Sequence, residues 1–370
     1  LETEKGFSTS DIAWLTIAIQ IGFVIGTMLI AITNVADVIN TRKVFAVSAL
    51  LAAFFNAALV FLPGGFDTAL VLRTLSGISL GGVYPPGMKI ISGWFLSGRG
   101  IAIGVMVGAL TIGSGSPHLM RSVFVAQWEI TLYLSSCLAA LAAAIVYFLV
   151  QDGPLDVPAR HFKPGYILRT IRMKSTRLVL FGYLGHMWEL YAMWAWILVF
   201  AQFSQQDFVD FPFGTPEYFC FFVVAVGAIG CIAGGVLSDI FGRCYTTATL
   251  MIISGTCAFL IGFLVDGPPV IFAVIALLWG MTIIADSGQF SAAVTELSDP
   301  RLVGTALTAQ MALGFGITVI TIWLVPIFAE SLGSFQWAFL FLVPGPIIGA
   351  IAMLLLRKRQ EAYKLALGKR

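Results

Sequence analysis

Eleven stretches of this chain run for about twenty residues with almost no charge, and that repetition leaves few folds open. They cover roughly residues 12–33, 44–62, 68–95, 101–119, 129–149, 178–203, 217–238, 245–265, 269–297, 302–328 and 335–356. A bilayer offers backbone groups no hydrogen-bond partners, so segments of this length cross it as α-helices. Composition agrees. Apolar residues make up 59% of the 370 and charged residues 11%, about half the charged share of a soluble domain. A net charge of +2 gives no electrostatic footprint for nucleic acid. The five cysteines form no CxxC pair, which argues against a disulfide framework and against a zinc site. The fold class is all-α integral membrane.

Orientation follows from lysine and arginine. Alternate loops hold 17 of the 21 basic residues, including Arg42, Lys43, Arg99, Arg243, Arg301 and the tail from Arg357 to Arg370. That side is the cytoplasmic one, so the C-terminus is inside. Eleven spans would then put the N-terminal end outside. An internal repeat explains the odd count. "NVADVINTRK" (34–43) follows the first span and "GGVLSDIFGRC" (234–244) follows the seventh. Each sets an aspartate and a basic residue in a short cytoplasmic turn, and Asp37 and Asp239 stand 202 residues apart. One span precedes the motif-bearing helix in the second half, and its counterpart in the first half is missing. The expected whole has twelve spans, with a first helix absent from the residues given.

"GGVLSDIFGR" resembles the loop signature of the major facilitator superfamily, G-x-L-x-D-x-x-G-R, at Gly235, Leu237, Asp239, Gly242 and Arg243. "NVADVINTRK" is similar to its first-half copy, with Ala36, Asp37, Arg42 and Lys43 in place and with Asn34 and Asn40 where glycines are usual. "RTLSGISLGG" resembles the family's R-x-x-x-G pattern at Arg73, Gly77 and Gly81. "GHMWELYAMWAW" and "IADSGQFSA" look loosely like bacterial nitrate, nitrite and cyanate porters of that family. The resemblance implies two six-helix bundles: residues 1–150, a cytoplasmic loop at 151–177, and residues 178–370 with a basic tail. It also implies a substrate site near the midplane between the bundles, lined by helices 1, 4, 7 and 10, and alternating access by rocking.

With the missing helix counted as the first, the ionisable residues well inside spans are Arg73 and Lys89 on span 4, His186 and Glu189 on span 7, and Asp286 on span 10. A charge at the bilayer centre costs about 2.5–3.5 kcal/mol on insertion scales, so these side chains are expected to face water or one another. His186 and Glu189, three residues apart, share a helix face. Pro85 and Pro86 should break or kink span 4. Each residue also has a plainer role open to it. Arg73 could bind backbone carbonyls, Lys89 could snorkel to the interface, and His186 could bond a neighbouring helix. Glu189 and Asp286 could each pair with a basic residue.

The functional expectation is a proton-linked secondary transporter of a small anion or zwitterion. Arg73 and Lys89 would hold the anion, with Tyr191, Trp194, Gln289 and Gln310 as further substrate contacts. Glu189, Asp286 and His186 would couple protons. Asp37 and Asp239, partnered by Arg42 and Arg243, would gate the cytoplasmic side. Small residues along helix 5, Gly104, Gly108, Gly113 and Gly115, would permit close packing. Two rivals remain: an efflux pump for drugs or metabolites, and a non-transporting scaffold subunit of a membrane complex. No nucleophile-base-orienter set, metal cluster or phosphate loop is present, so neither an enzyme nor a cofactor is expected. The expected setting is a monomer in a bacterial inner membrane, with solute, protons and lipid as partners and no nucleic acid.

Overall fold

A computed structural model describes residues 9–62, 64–123, 128–156, 173–205, 212 and 214–370. Helices occupy all eleven predicted segments. In chain order they are α1 (Thr9–Thr33), the short α2 (Val35–Val38), α3 (Thr41–Phe61), α4 (Phe66–Leu80), α5 (Tyr84–Trp94), α6 (Arg99–Val123), α7 (Trp128–Phe148) and α8 (Lys174–Ser204). Then come α9 (Pro216–Ala225), α10 (Gly227–Phe241), α11 (Arg243–Leu260), α12 (Pro269–Ala285), α13 (Ser287–Leu297), α14 (Val303–Ser331) and α15 (Pro344–Arg357). Tighter 3-10 turns at Phe335–Leu342 and Gln360–Gly368 flank α15.

Eight helical stretches among the described residues are long and apolar enough to cross a membrane, and Ile17–Thr33 is a shorter apolar helix. The two remaining segments are helical too. One is divided: α4 ends at Leu80 and α5 starts at Tyr84, with Pro85 and Pro86 in its first turn. Proline is tolerated there because first-turn N–H groups have no intrahelical partner. The other, α8, is made less apolar by Lys174, Arg177 and Glu189. Outward faces are apolar, as on α15, where Ile347, Ile348 and Ile351 are all more than half exposed. That pattern suits lipid.

The residues pack as two compact units, and each draws on both halves of the sequence. The first comprises Leu1–Trp94, Ala126–Ile171 and Ser298–Val319. The second comprises Phe95–Val125, Arg172–Leu297 and Ile320–Arg370. The bundles expected at 1–150 and 178–370 follow covalent order, whereas these units follow packing. Most of the expected inter-bundle loop, 157–172, lies outside the described residues.

In the first unit α1 lies against α4, and a Cβ at Gly26 would come within 2.1 Å of the Ile78 carbonyl oxygen. The Asn56 amide joins α3 to α7 by donating to Ser135 Oγ (3.0 Å), Ser136 Oγ (2.9 Å) and the Leu132 carbonyl (3.2 Å). In the second unit α6 meets α10 at its glycines, where a Cβ at Gly104 would stand 2.4 Å from the Cys231 carbonyl. Phe200, Phe219, Phe272, Phe339 and Trp279 form a buried aromatic core among α8, α9, α12 and the turn before α15.

Candidate functional site

Two aspartates from the repeated motif each hold the start of a distant helix. Asn34 sits between α1 and α2 in the left-handed region (φ 53°), which asparagine adopts more readily than most residues. The turn it makes places Asp37, on α2, at the N-terminus of α14. Asp37 Oδ1 accepts the Gly304 N–H (2.9 Å), and Oδ2 accepts the Thr305 N–H (2.7 Å) and hydroxyl (2.6 Å). Helix N-termini carry free N–H donors and partial positive charge, so a carboxylate is the natural cap. A Cβ at position 304 would meet Asp37 Oδ1 at 2.6 Å, so the contact needs Gly304.

The cation at this aspartate is Lys89, not Arg42. Lys89 Nζ lies 2.9 Å from Asp37 Oδ1 and donates to the Ala36 carbonyl at 2.8 Å. Asp156 is 3.5 Å from the same Nζ. Lys89 is therefore committed to the motif and does not snorkel. Arg42 turns instead to Asp152 at 2.7 Å and to the Val150 carbonyl at 2.6 Å. The α3 first turn faces the segment that follows α7, and this decides the pairing.

The second motif repeats the design in the second unit. Gly242 (φ 94°) makes the turn between α10 and α11. Asp239 accepts the Gly100 and Ile101 N–H groups, both at 3.2 Å, at the start of α6. Arg243 donates to Asp239 (2.9 Å), to Ser238 Oγ (2.8 Å) and to Gln289 Oε1 (2.9 Å). It also binds Glu296 with two nitrogens, at 2.7 and 3.3 Å. Ser238 donates to the same Gln289 oxygen. Gln289, expected at substrate, belongs to this latch. Glu296, Gly100 and Gly304 were missed in the sequence, although both glycines open the first turn of a helix shortly after an arginine.

Deep in the second unit lies a third polar group. His186 Nδ1 is 2.8 Å from Asp286 Oδ1, and both side chains are buried. Asp286 stands at the break between α12 and α13. Glu189, one turn from His186, accepts from Trp279 Nε1 (2.7 Å) and from Ser254 Oγ (2.8 Å). Glu189 thus points into the unit, toward α11 and α12. Its place rests on two side-chain donors rather than on the expected water-lined face. The ion pairs of the described residues join neither Glu189 nor Asp286 to a lysine or arginine.

Of the other expected substrate contacts, Arg73 and Gln310 belong to the first unit and Tyr191 and Trp194 to the second. Arg73 donates to Asn56 Oδ1 at a long 3.5 Å. Tyr191 and Trp194 pack edge to face at 5.4 Å, and the buried Trp194 Nε1 has no hydrogen-bond partner among the described residues. Both amide atoms of buried Gln310 lack hydrogen-bond partners among the described residues. Trp188 and Trp196 spend their N–H groups on the Phe341 and Ile322 carbonyls, which makes them packing residues.

The family model described as Major Facilitator Superfamily matches residues 1–315. Among curated proteins, the chain is similar to YybF of Bacillus subtilis (strain 168), described as an uncharacterized MFS-type transporter. The two are 25% identical over 184 residues, which cover 45% of this chain. The matched part spans 41% of that relative's length.

Proposed function

The chain belongs to the major facilitator superfamily, and from that premise we propose that it is a secondary transporter moving a small anion or zwitterion by proton-linked alternating access. The observation that carries this reading is the matched pair of latches. In each, a motif aspartate from one half of the sequence caps a helix start from the other half. Such contacts can form and break as units, as a two-state gate requires.

The His186–Asp286 pair, with Glu189 beside it, supports the proton link. Buried ionisable groups without a fixed lysine or arginine partner are costly, and in membranes they serve proton or ion pathways. Arg73 supports an anionic solute, because its guanidinium offers five donors and its one described hydrogen bond is long. In this reading the C-terminus is cytoplasmic, the membrane is the bacterial inner one, and 1–150 and 178–370 are the moving bundles.

The test is ligand-dependent thermal stability of the full-length protein in detergent, with small anions, zwitterions and cationic drugs at two pH values. A ligand that binds the native state raises its stability by mass action. Anions should stabilise more at the lower pH, and Arg73→Gln should remove their effect. Stabilisation by cationic drugs alone would overturn the anion reading in favour of drug efflux. Equal anion effects at both pH values would remove the proton link.

A further inference from the structure

The helix α13 (Ser287–Leu297) touches both the buried histidine pair and the Arg243 latch. Its start is fixed on Asp286, whose carbonyl accepts the Gln289 N–H at 2.9 Å and the Phe290 N–H at 3.3 Å. One turn on, the Gln289 side chain binds Arg243 and Ser238. At its far end Glu296 binds Arg243 and receives the Ala366 N–H at 3.0 Å. From Asp286 to Glu296 is about 15 Å at the α-helical rise. The Gly288 position brings α13 onto α6, where a Cβ would stand 3.0 Å from Ile103, close to the amides that Asp239 caps.

We infer that α13 carries the charge state of the His186–Asp286 pair to the Arg243 latch, with Gln289 as the positioning residue. The inference rests on the proton-linked reading above. Three buried atoms without a hydrogen-bond partner among the described residues make the arrangement responsive, and one is Asp286 Oδ1, which His186 Nδ1 approaches to 2.8 Å. His186 Nε2 has no partner among the described residues, so a proton placed there becomes a buried charged donor with no acceptor among them. That is unfavourable, and the ring or the start of α13 must shift to satisfy it. Gln289 Nε2 is also buried without an acceptor among the described residues, while its Oε1 accepts from Ser238 and Arg243. A shift at Asp286 therefore displaces a side chain held to the latch only through one oxygen.

Among the described residues, His186 and Tyr183 face α13 from α8, Arg99 from α6 and Arg243 from α11, with Glu189 and Cys231 near Asp286 at its start and Asp239 beside Arg243. The C-terminal 3-10 turn meets α13 through the Ala366 N–H.

Hydrogen–deuterium exchange of the full chain in lipid nanodiscs tests the idea. Exchange is read at residues 100–101 at two pH values, corrected for chemical exchange. Thermal stability over the same pH range reports the pair itself. Wild-type exchange at 100–101 should change about tenfold, a usual size for coupling between sites. Asp286→Asn should abolish both pH responses. Gln289→Leu should abolish the response at 100–101 and keep the pH dependence of stability. Gln289→Asn, too short to reach the latch but gentler on packing, should do the same and decides the matter if the leucine variant fails to fold. A wild-type exchange response retained in Gln289→Asn overturns the inference and leaves proton linkage standing. So does pH-dependent stability without any response at 100–101. No pH response of either kind in the wild type overturns both.

Discussion

Lys89 takes the place beside Asp37 that the sequence gives to Arg42, and Arg42 pairs with Asp152 instead. Arg42 follows Asp37 by one turn of chain, and the motif itself pairs them on paper. Lys89 lies far along the chain and reaches Asp37 only because α5 packs beside α2 and α3. The difference has an energetic signature. The Lys89–Asp37 pair is buried, and removing one partner of such a pair typically costs 3–5 kcal/mol, roughly, because the other charge is left unpaired. Three remaining donors on Asp37 put Lys89→Met near the lower end, about 3 kcal/mol by denaturant unfolding. Arg42→Met should cost about 1 kcal/mol or less, since its pair with Asp152 is partly exposed. Equal costs would return Arg42 to Asp37. The hydrogen bond from Arg42 also holds the Asp152 carboxyl below the ordinary carboxylate range. Its small contribution is present at neutral pH and is lost as pH falls through that lowered value. Arg42→Met should remove this part of the acid dependence of unfolding.

Elements were more legible than contacts. Long apolar runs dictate helices, because only a helix satisfies its own backbone in lipid, and helices were found in all eleven runs. The break between α4 and α5 was announced by Pro85 and Pro86. The break at Asp286 was not, for no proline marks it and "IADSGQ" reads as continuous apolar helix with one acid. Close helix contacts were only half visible. Glycine spacing shows that helices can approach, but not which glycine is used. Gly280 is used: a Cβ there would fall 1.9 Å from the Val223 carbonyl where α12 meets the end of α9. Gly113 is not, since nothing lies within 4 Å of its would-be Cβ. Gly280→Leu should destabilise by about 1–3 kcal/mol or more through overpacking. Gly113→Ala should be neutral or stabilise by about 0.4–1 kcal/mol. Thermal unfolding in one detergent compares the two, and equal effects would mean that α9 and α12 do not approach as closely as described.

At the scale of the whole molecule, the question is whether the two latches act as one gate. The sequence repeat exposes their aspartates but not the helix starts they hold, because those starts come from the other half of the chain. Alternating access requires that both latches be closed in one state and open in the other, so their equilibria must be linked. Asp37→Asn and Asp239→Asn each keep one acceptor and lose the charge that favours a helix N-terminus, a term of about 0.3–2 kcal/mol. The two will not be equal. Asp239→Asn leaves Arg243 its two-nitrogen grip on Glu296, whereas Asp37→Asn leaves Lys89 the neutral Ala36 carbonyl and, at 3.5 Å, the carboxylate of Asp156. Amide exchange at 304–305 in Asp37→Asn should therefore rise more than exchange at 100–101 in Asp239→Asn. The decisive measurement is the cross term. If the latches share one two-state equilibrium, loosening either must raise exchange at the other by a comparable factor, because coupling free energies are reciprocal. Asp37→Asn should then raise exchange at 100–101, and Asp239→Asn should raise it at 304–305. A rise confined to the altered latch would mean two independent caps, and the gate reading would not survive it.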